Sequence, residues 1–181
     1  MIRKRLLLHT CCAPCVVVPV ERMADQYDIT CFFFNPNIQP AEEYRRRLAE
    51  LERIRDRLMV EVIIPPYDAD QWLELVRGLE GEPEGGRRCA VCFRMRLEAT
   101  AQAAIAGQFD FITTTLTVSP HKNAELINQI GQQIGETYGV AFLEENFKKK
   151  DGYKRSIELS KAYQLYRQDY CGCIFSQSQR R

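Results

Sequence analysis

The sequence has no apolar run that approaches a membrane span, which needs about 20 consecutive apolar residues, and it carries no internal repeat, low-complexity tract or long linker. The opening Met1-Ile2-Arg3-Lys4-Arg5 is basic, but the Leu6-Leu7-Leu8 run behind it is too short for the core of a secretion signal. A reducing, cytoplasmic location with no membrane partner is therefore expected. Net charge is also missing: 25 Lys and Arg face 24 Asp and Glu, so no global field favours nucleic acid. No Walker loop and no Gly-x-Gly-x-x-Gly turn is present, and no ATP or nicotinamide site is expected.

Against these absences stand eight cysteines in 181 residues. A chain of this length buries a core without covalent staples, and in a reducing compartment clustered cysteines point to metal or catalysis rather than to structural disulfides. Three clusters matter: Cys11-Cys12-Ala13-Pro14-Cys15, Cys89-Ala90-Val91-Cys92 and Cys171-Gly172-Cys173. A Cys-x-x-Cys at a helix start can place two sulfurs on one side of a metal, and the helix N-terminus favours the thiolate that binds it. Four thiolates satisfy a structural zinc ion or an iron–sulfur cluster. Cys31, alone in an apolar stretch, reads as a packed core residue. The surplus over four ligands leaves Cys171 and Cys173 as a closely spaced redox disulfide or, with Cys15, as ligands of a second metal.

Short strands are expected at residues 6–9, 29–34, 60–64, 109–115 and 140–143, with a turn at 11–15. Helices are expected at 16–26, 41–58, 68–79, 89–106, from Ser119-Pro120 to about 138, and at 151–166. Tyr44, Leu48, Leu51, Ile54 and Leu58 recur at helical steps and define one apolar face. Strands alternating with helices imply βαβ units: an α/β fold, mostly parallel sheet, helices on both faces. Ligands bind such folds beyond the carboxyl ends of the strands, where the turn at Cys11 to Cys15 falls.

Several segments are familiar as a set. His9-Thr-Cys-Cys-Ala-Pro-Cys15, Phe34-Asn-Pro-Asn37, Tyr44-Arg-x-Arg47, Arg88-Cys-x-x-Cys92-Phe-x-x-Arg96-Leu97, Thr115-Leu-Thr-Val-Ser-Pro-His-Lys-Asn123, Phe147-Lys-Lys-x-x-Gly-Tyr153 and Tyr166-Arg-Gln-Asp-Tyr-Cys-Gly-Cys173 together resemble the QueH family of epoxyqueuosine reductases. The likeness spans nearly the whole chain and is thinnest over residues 67–86. It implies one Rossmann-like domain over residues 1–181, similar to the PP-loop (HUP) group, with residues 144–181 folding back over the metal site. It implies the last step of queuosine synthesis, reduction of epoxyqueuosine at the tRNA wobble position, fed by an external electron donor. By position, Cys11, Cys12, Cys89 and Cys92 look like ligands of a [4Fe-4S] cluster. Cys171 and Cys173, with Cys15 as a companion, look like a redox pair or ligands of a further mononuclear iron.

Other residues carry two readings each. His121 is a proton donor, a phosphate contact or a capping-region side chain; Asp169 is an iron ligand, a thiol-orienting group or a surface aspartate. From residue 147 onward nine basic residues stand against three acidic ones, and Lys148, Lys149, Lys150 and Arg155 suit phosphate contacts with tRNA or a solvated charge run. Tyr153, Tyr163, Tyr166 and Tyr170 could stack an extruded base. His9 reads as a packed strand residue. Two rival functions remain at this level: a zinc-stabilised, non-catalytic tRNA-binding module and an iron–sulfur tRNA thiolase. The ATP-dependent thiolases carry a Ser-Gly-Gly-x-Asp-Ser loop after the first strand, where this chain has Thr10-Cys-Cys-Ala-Pro-Cys15.

Overall fold

The computed structural model describes residues 3–178. Arg180 and Arg181 of the basic C-terminal segment, and Met1 and Ile2 of the basic opening, lie outside the described residues. Five parallel strands form one sheet in the order β3-β2-β1-β4-β5: β1 (Lys4–His9), β2 (Tyr27–Phe32), β3 (Glu61–Ile63), β4 (Phe111–Thr114) and β5 (Ala141–Phe142). The α/β architecture expected from the alternating pattern is what the chain adopts.

The period of two along a strand explains the layering. In β1, Leu6 and Leu8 enter one core and Leu7 the other, all fully buried. Each such leucine contributes about 1.5–3 kcal/mol by leaving water. The Leu6/Leu8 face is covered by α1 (Ala13–Met23), α2 (Ala41–Leu58) and α6 (Gly152–Ala162), through Val16, Val20, Leu51, Ile54 and Leu159. The Leu7 face is covered by α4 (Arg87–Ala106) and α5 (Ala124–Tyr138), through Phe93, Leu97, Ile127, Ile130 and Ile134. Two short helices, α3 (Ala69–Leu75) and α7 (Ile174–Ser178), lie off the sheet, and Trp72 of α3 packs with Cys92 and Cys173 in a third, smaller core. Among the described residues no helix is long and apolar enough to cross a membrane.

The chain steps outward from β1 to β2 and β3, then crosses back to place β4 on the other side of β1. The carboxyl ends of β1 and β4 are thus neighbours, with His9 opposite Thr114. The loops leaving those two ends diverge to opposite faces, the arrangement that opens a crevice in doubly wound sheets. Three boundaries depart from expectation. Cys15 belongs to the first turn of α1, because Pro14 is tolerated there and starts the helix early. Ser119-Pro120 does not cap α5: residues Thr115–Val118 form a tighter helical turn, and the Asn123 side chain caps by accepting from the amides of Glu125 and Leu126. The last long helix ends at Ala162, and Gln164 takes a left-handed φ of 54°.

Candidate metal centre

Cys12 is the N-cap residue of α1 and Cys15 lies three positions on, so both stand at a helix N-terminus. Cys11 completes the group: its backbone N–H donates to Thr115 Oγ1 (3.1 Å), and that hydroxyl donates back to the Cys11 sulfur (3.4 Å). The three sulfurs lie within 4.8 Å of one another, and those of Cys11 and Cys12 are 3.7 Å apart. Two thiolates on one tetrahedral ion at about 2.3 Å each sit about 3.8 Å apart, so the triad has the span of a single-ion site. Hydrogen bonding from Cys12 and Cys15 holds the Cys11 thiol well below its ordinary value, and the Arg96 charge acts the same way. Burial pushes Cys12 up to about 12, and the bonds Cys15 gives to Cys11 and Cys12 push Cys15 well up.

The second group is assembled from distant segments. Cys89 is the third residue of α4, next to the glycine-rich loop, and its sulfur accepts the Gly85 N–H at 3.2 Å. Cys92, one turn later, shares a cavity with Cys89, Cys171 and Cys173. The Cys171-Gly172-Cys173 loop is brought there by long-range bonds. Buried Arg47 of α2 donates to the carbonyls of Cys171 (3.0 Å) and Tyr170 (3.1 Å) while pairing with Glu43 at 2.6 Å, and the Gln39 N–H donates to the Gly172 carbonyl at 2.8 Å. Gly172 has a φ of 110°, and a Cβ there would press into Ile38, so only glycine fits. Hydrogen bonding from Cys173, helped by the Lys122 charge, holds Cys171 well below its ordinary value; the same pairing pushes Cys173 up. Burial raises Cys89 and Cys92.

Cys11 and Cys12 therefore gather with Cys15, and Cys89 and Cys92 with Cys171 and Cys173. The pairs also meet one another: Cys11 and Cys89 pack against the same core, and Cys11 and Cys171 line one cavity. Cys11, Cys12 and Cys15 ride on one loop-helix junction at the carboxyl end of the central strand β1, and Cys92 packs with Cys171, Cys173 and Trp72. A cavity of about 470 Å³ lies beside both groups, lined by Cys11, Cys15 and Cys171 together with exposed His121 and Asp169.

The basic candidates separate. The Lys148 ammonium donates to the backbone carbonyls of Ser119 (3.1 Å) and Lys122, so it supports the turn that carries His121 and Lys122. Arg155 is paired with Glu21 at 2.6 Å and with Glu158 at 3.4 Å. Lys149 and Lys150 are exposed. Among the tyrosines, Tyr163 lies under Arg57 and Tyr166 under Arg46, Tyr170 donates to the Gln39 carbonyl, and Tyr153 and Tyr170 line the cavity. His9 is fully buried, with Nδ1 accepting from Thr114 Oγ1 (2.9 Å) and Nε2 donating to the Phe34 carbonyl (3.2 Å). Cys31 is buried in β2 and its thiol is pushed up to about 12.

The sequence places Arg47, Arg88 and Arg96 in its motifs but gives no sign that they are enclosed. Arg88, Arg96 and Arg47 are all at most 2% exposed. Arg88 clamps the 79–82 turn through carbonyls including Leu79 (3.1 Å) and Glu80 (2.9 Å), and Arg96 donates to Asn37 Oδ1 at 2.9 Å. Among the described residues the Nε and Nη2 groups of Arg88 and Arg96 have no hydrogen-bond partner. A buried guanidinium with unmet donors is costly, and both residues line the cavity of the second thiol group. An anionic thiolate-held centre would supply the acceptors they lack, so the residues present fit such a group.

The family model of epoxyqueuosine reductase QueH matches residues 6–179. The chain belongs to the QueH family. Among similar proteins named epoxyqueuosine reductase QueH, that of Streptococcus pyogenes is 41% identical over 97% of this chain and 71% of its own length. The one from Staphylococcus epidermidis is 41% identical over 96% of this chain and 76% of its own. A shorter relative from Thermotoga maritima is 37% identical over 97% of this chain and 92% of its own. Within this QueH chain all seven clustered cysteines stand at the carboxyl end of the sheet or in the C-terminal loop packed beside it.

Proposed function

We propose that the protein reduces epoxyqueuosine to queuosine at the wobble position of tRNA, as the last step of queuosine biosynthesis in a reducing cytoplasm. The observation that carries this is two thiol groups flanking one cavity in a chain of the QueH family. The reaction takes an epoxide, two electrons and two protons to an alkene and water. An external donor supplies the electrons. When bound, a [4Fe-4S] cluster passes electrons singly, and a second iron or a dithiol holds the other equivalent.

One ligand division is a single iron at Cys11, Cys12 and Cys15 and the cluster at Cys89, Cys92, Cys171 and Cys173, the four thiolates a cubane takes. The spacing of the triad supports it. The other division is the one the resemblance implies, with Cys11, Cys12, Cys89 and Cys92 on the cluster and Cys171 and Cys173 as a redox pair or ligands of a further iron. Hydrogen bonding from Cys173 and the Lys122 charge hold Cys171 low, which favours the thiolate form that binds iron. His121 and Asp169, at the rim of the cavity, would meet the base or its ribose, and His121 would carry a proton. Tyr153 and Tyr170 offer faces on which the extruded base would stack. Lys149 and Lys150 would contact phosphates. Residues 1–181 are read as one unit, its C-terminal segment 144–181 closing the site.

The test is reconstitution without oxygen, using iron and sulfide, followed by a reductant and tRNA carrying epoxyqueuosine. Mass spectrometry of the digested nucleosides should show loss of one oxygen from the modified base. A demonstrably loaded protein with broad visible absorption near about 400 nm, where sulfide-to-iron charge transfer falls, that leaves epoxyqueuosine intact would refute the proposal.

A further inference from the structure

Two cations lie in the space shared by the two thiol groups. Arg96 and Lys122 each line both the cavity of Cys89, Cys92, Cys171 and Cys173 and the cavity beside Cys11 and Cys15. They arrive from different elements. Arg96 is on α4, one turn beyond Cys92, and Lys122 is in the turn before α5, with its backbone carbonyl fixed by Lys148. Arg96 is 2% exposed, is held on one side by Asn37, and among the described residues its Nε and Nη2 have no partner. The carboxylate of Glu84 lines the same two cavities and Asp169 lines one of them, so the cations have acidic neighbours at the rim. The sulfurs that feel them belong to both groups: Arg96 acts on Cys11 and Cys92, and Lys122 on Cys171, whose charge with that of Cys11 acts on it in turn.

A buried guanidinium with unmet donors is costly, and an anion in the space it faces offsets that cost. Thiolate-held iron is anionic, and each electron it accepts adds negative charge. In a water-poor site a fixed cation favours that step far more than it would in solvent. We infer that Arg96 and Lys122 form a cationic bridge between the two thiol groups, positioning residues whose fixed charge raises the reduction potential of the iron held there. The inference rests on the reading that both groups hold iron. The hydrogen bonds to sulfur from Thr115 and Gln168 differ in kind: each serves one thiol, whereas the two cations serve both groups.

The test compares reduction potentials in anaerobically reconstituted full-length protein. Wild type, Arg96→Gln, Lys122→Gln, the charge-keeping Arg96→Lys and Lys122→Arg, and Arg94→Gln as a control are titrated with reductant and followed by electron paramagnetic resonance and visible absorption. Arg94 lies on the same helix but pairs outward with Gln133 and Glu98. Each neutral variant should make reduction at least about tenfold less favourable, a downward shift of about 59 mV for one electron. The charge-keeping variants and Arg94→Gln should stay within about threefold of wild type. Loaded neutral variants with unchanged potentials overturn the inference. If the neutral variants lose iron while the charge-keeping ones retain it, the charges are needed to hold the centre at all, which supports it. If the charge-keeping variants lose iron as well, shape rather than charge is at work and the inference falls. A wild-type protein that takes up no iron overturns this inference and the proposed function together.

Discussion

The two thiol groups are built by opposite means. Cys11, Cys12 and Cys15 come from five consecutive positions, fixed between the end of β1 and the first turn of α1 by the sheet itself. Cys89, Cys92, Cys171 and Cys173 come from segments about 80 residues apart, and one of those segments is a loop. The first group is preorganised by the fold. The second depends on a few long-range braces: Arg47 to the Tyr170 and Cys171 carbonyls, Gln39 to Gly172, and Trp72 packed on Cys92 and Cys173. Each nonetheless combines one thiol held low with neighbours pushed up, Cys11 in the first and Cys171 in the second. A reactive sulfur beside protonatable partners can therefore be made either locally or by a tertiary clamp.

The sharpest way to break this comparison is to remove one sulfur from each group. Cys92→Ala should abolish the visible cluster absorption and, with it, turnover, while leaving about one tightly bound iron. Cys12→Ala should do the reverse, keeping the colour and losing about one iron while activity also disappears. Iron analysis beside the absorption spectrum separates the outcomes, and equal losses in both variants would show that the two groups are one site. The next largest effect is expected at the clamp. Arg47→Met leaves Glu43 buried without its partner, which costs about 3–5 kcal/mol in such pairs, read as a lower urea midpoint. The loaded variant should lose its cluster absorption before its triad iron. Loss in the opposite order would mean that the clamp serves the wrong group.

The sheet end offers a pH test. Burial, with the Arg96 charge adding to it, lowers His9 to about 3. Above about 6.5 both folded and unfolded chains hold this imidazole neutral, and it adds no pH dependence. Below that value the unfolded chain takes up a proton that the folded chain refuses, so stability falls as pH falls, by about 1.4 kcal/mol per unit until about pH 3. Urea unfolding of the metal-free protein at pH 7, 6 and 5 should show this slope, and His9→Gln should flatten it. An unchanged slope in the variant would assign the dependence to other groups.

What could be read beforehand follows the same division between local and distant. The sheet was legible because alternation in β1 and helical steps in α2 are local patterns. The cap of α5 was misplaced because Ser119-Pro120 has the composition of a helix start, and only the bonds from Asn123 show where the helix begins. The seven clustered cysteines were visible as motifs. That Cys89 and Cys92 share a cavity with Cys171 and Cys173 was not, because it depends on how α4 packs against a loop far along the chain. The buried arginines were less legible still: Arg47, Arg88 and Arg96 sit inside recognisable motifs, yet arginine in a charged helix reads as surface, and nothing short of the tertiary structure reveals that these three are enclosed.

The smallest expected effect tests whether the two groups communicate through the backbone that joins them. Gln168 lies three residues before Cys171, and its Nε2 donates to the Cys12 sulfur at 3.0 Å, so one side chain ties the C-terminal segment to the local triad. A hydrogen bond of this kind is worth about 1 kcal/mol, or roughly fivefold in an equilibrium constant. Cobalt(II) titrated into the metal-free protein reports on the triad through sulfur-to-cobalt absorption. Gln168→Leu should weaken that binding by about fivefold, and Gln168→Glu by more, since it sets a carboxylate against a thiolate. Because the bond also anchors the segment that delivers Cys171, the same variants should slow reassembly of the second group after metal removal. If cobalt binding weakens but reassembly keeps its rate, the bond serves the triad alone, and the two groups are joined through Arg96 and Lys122 rather than through the chain.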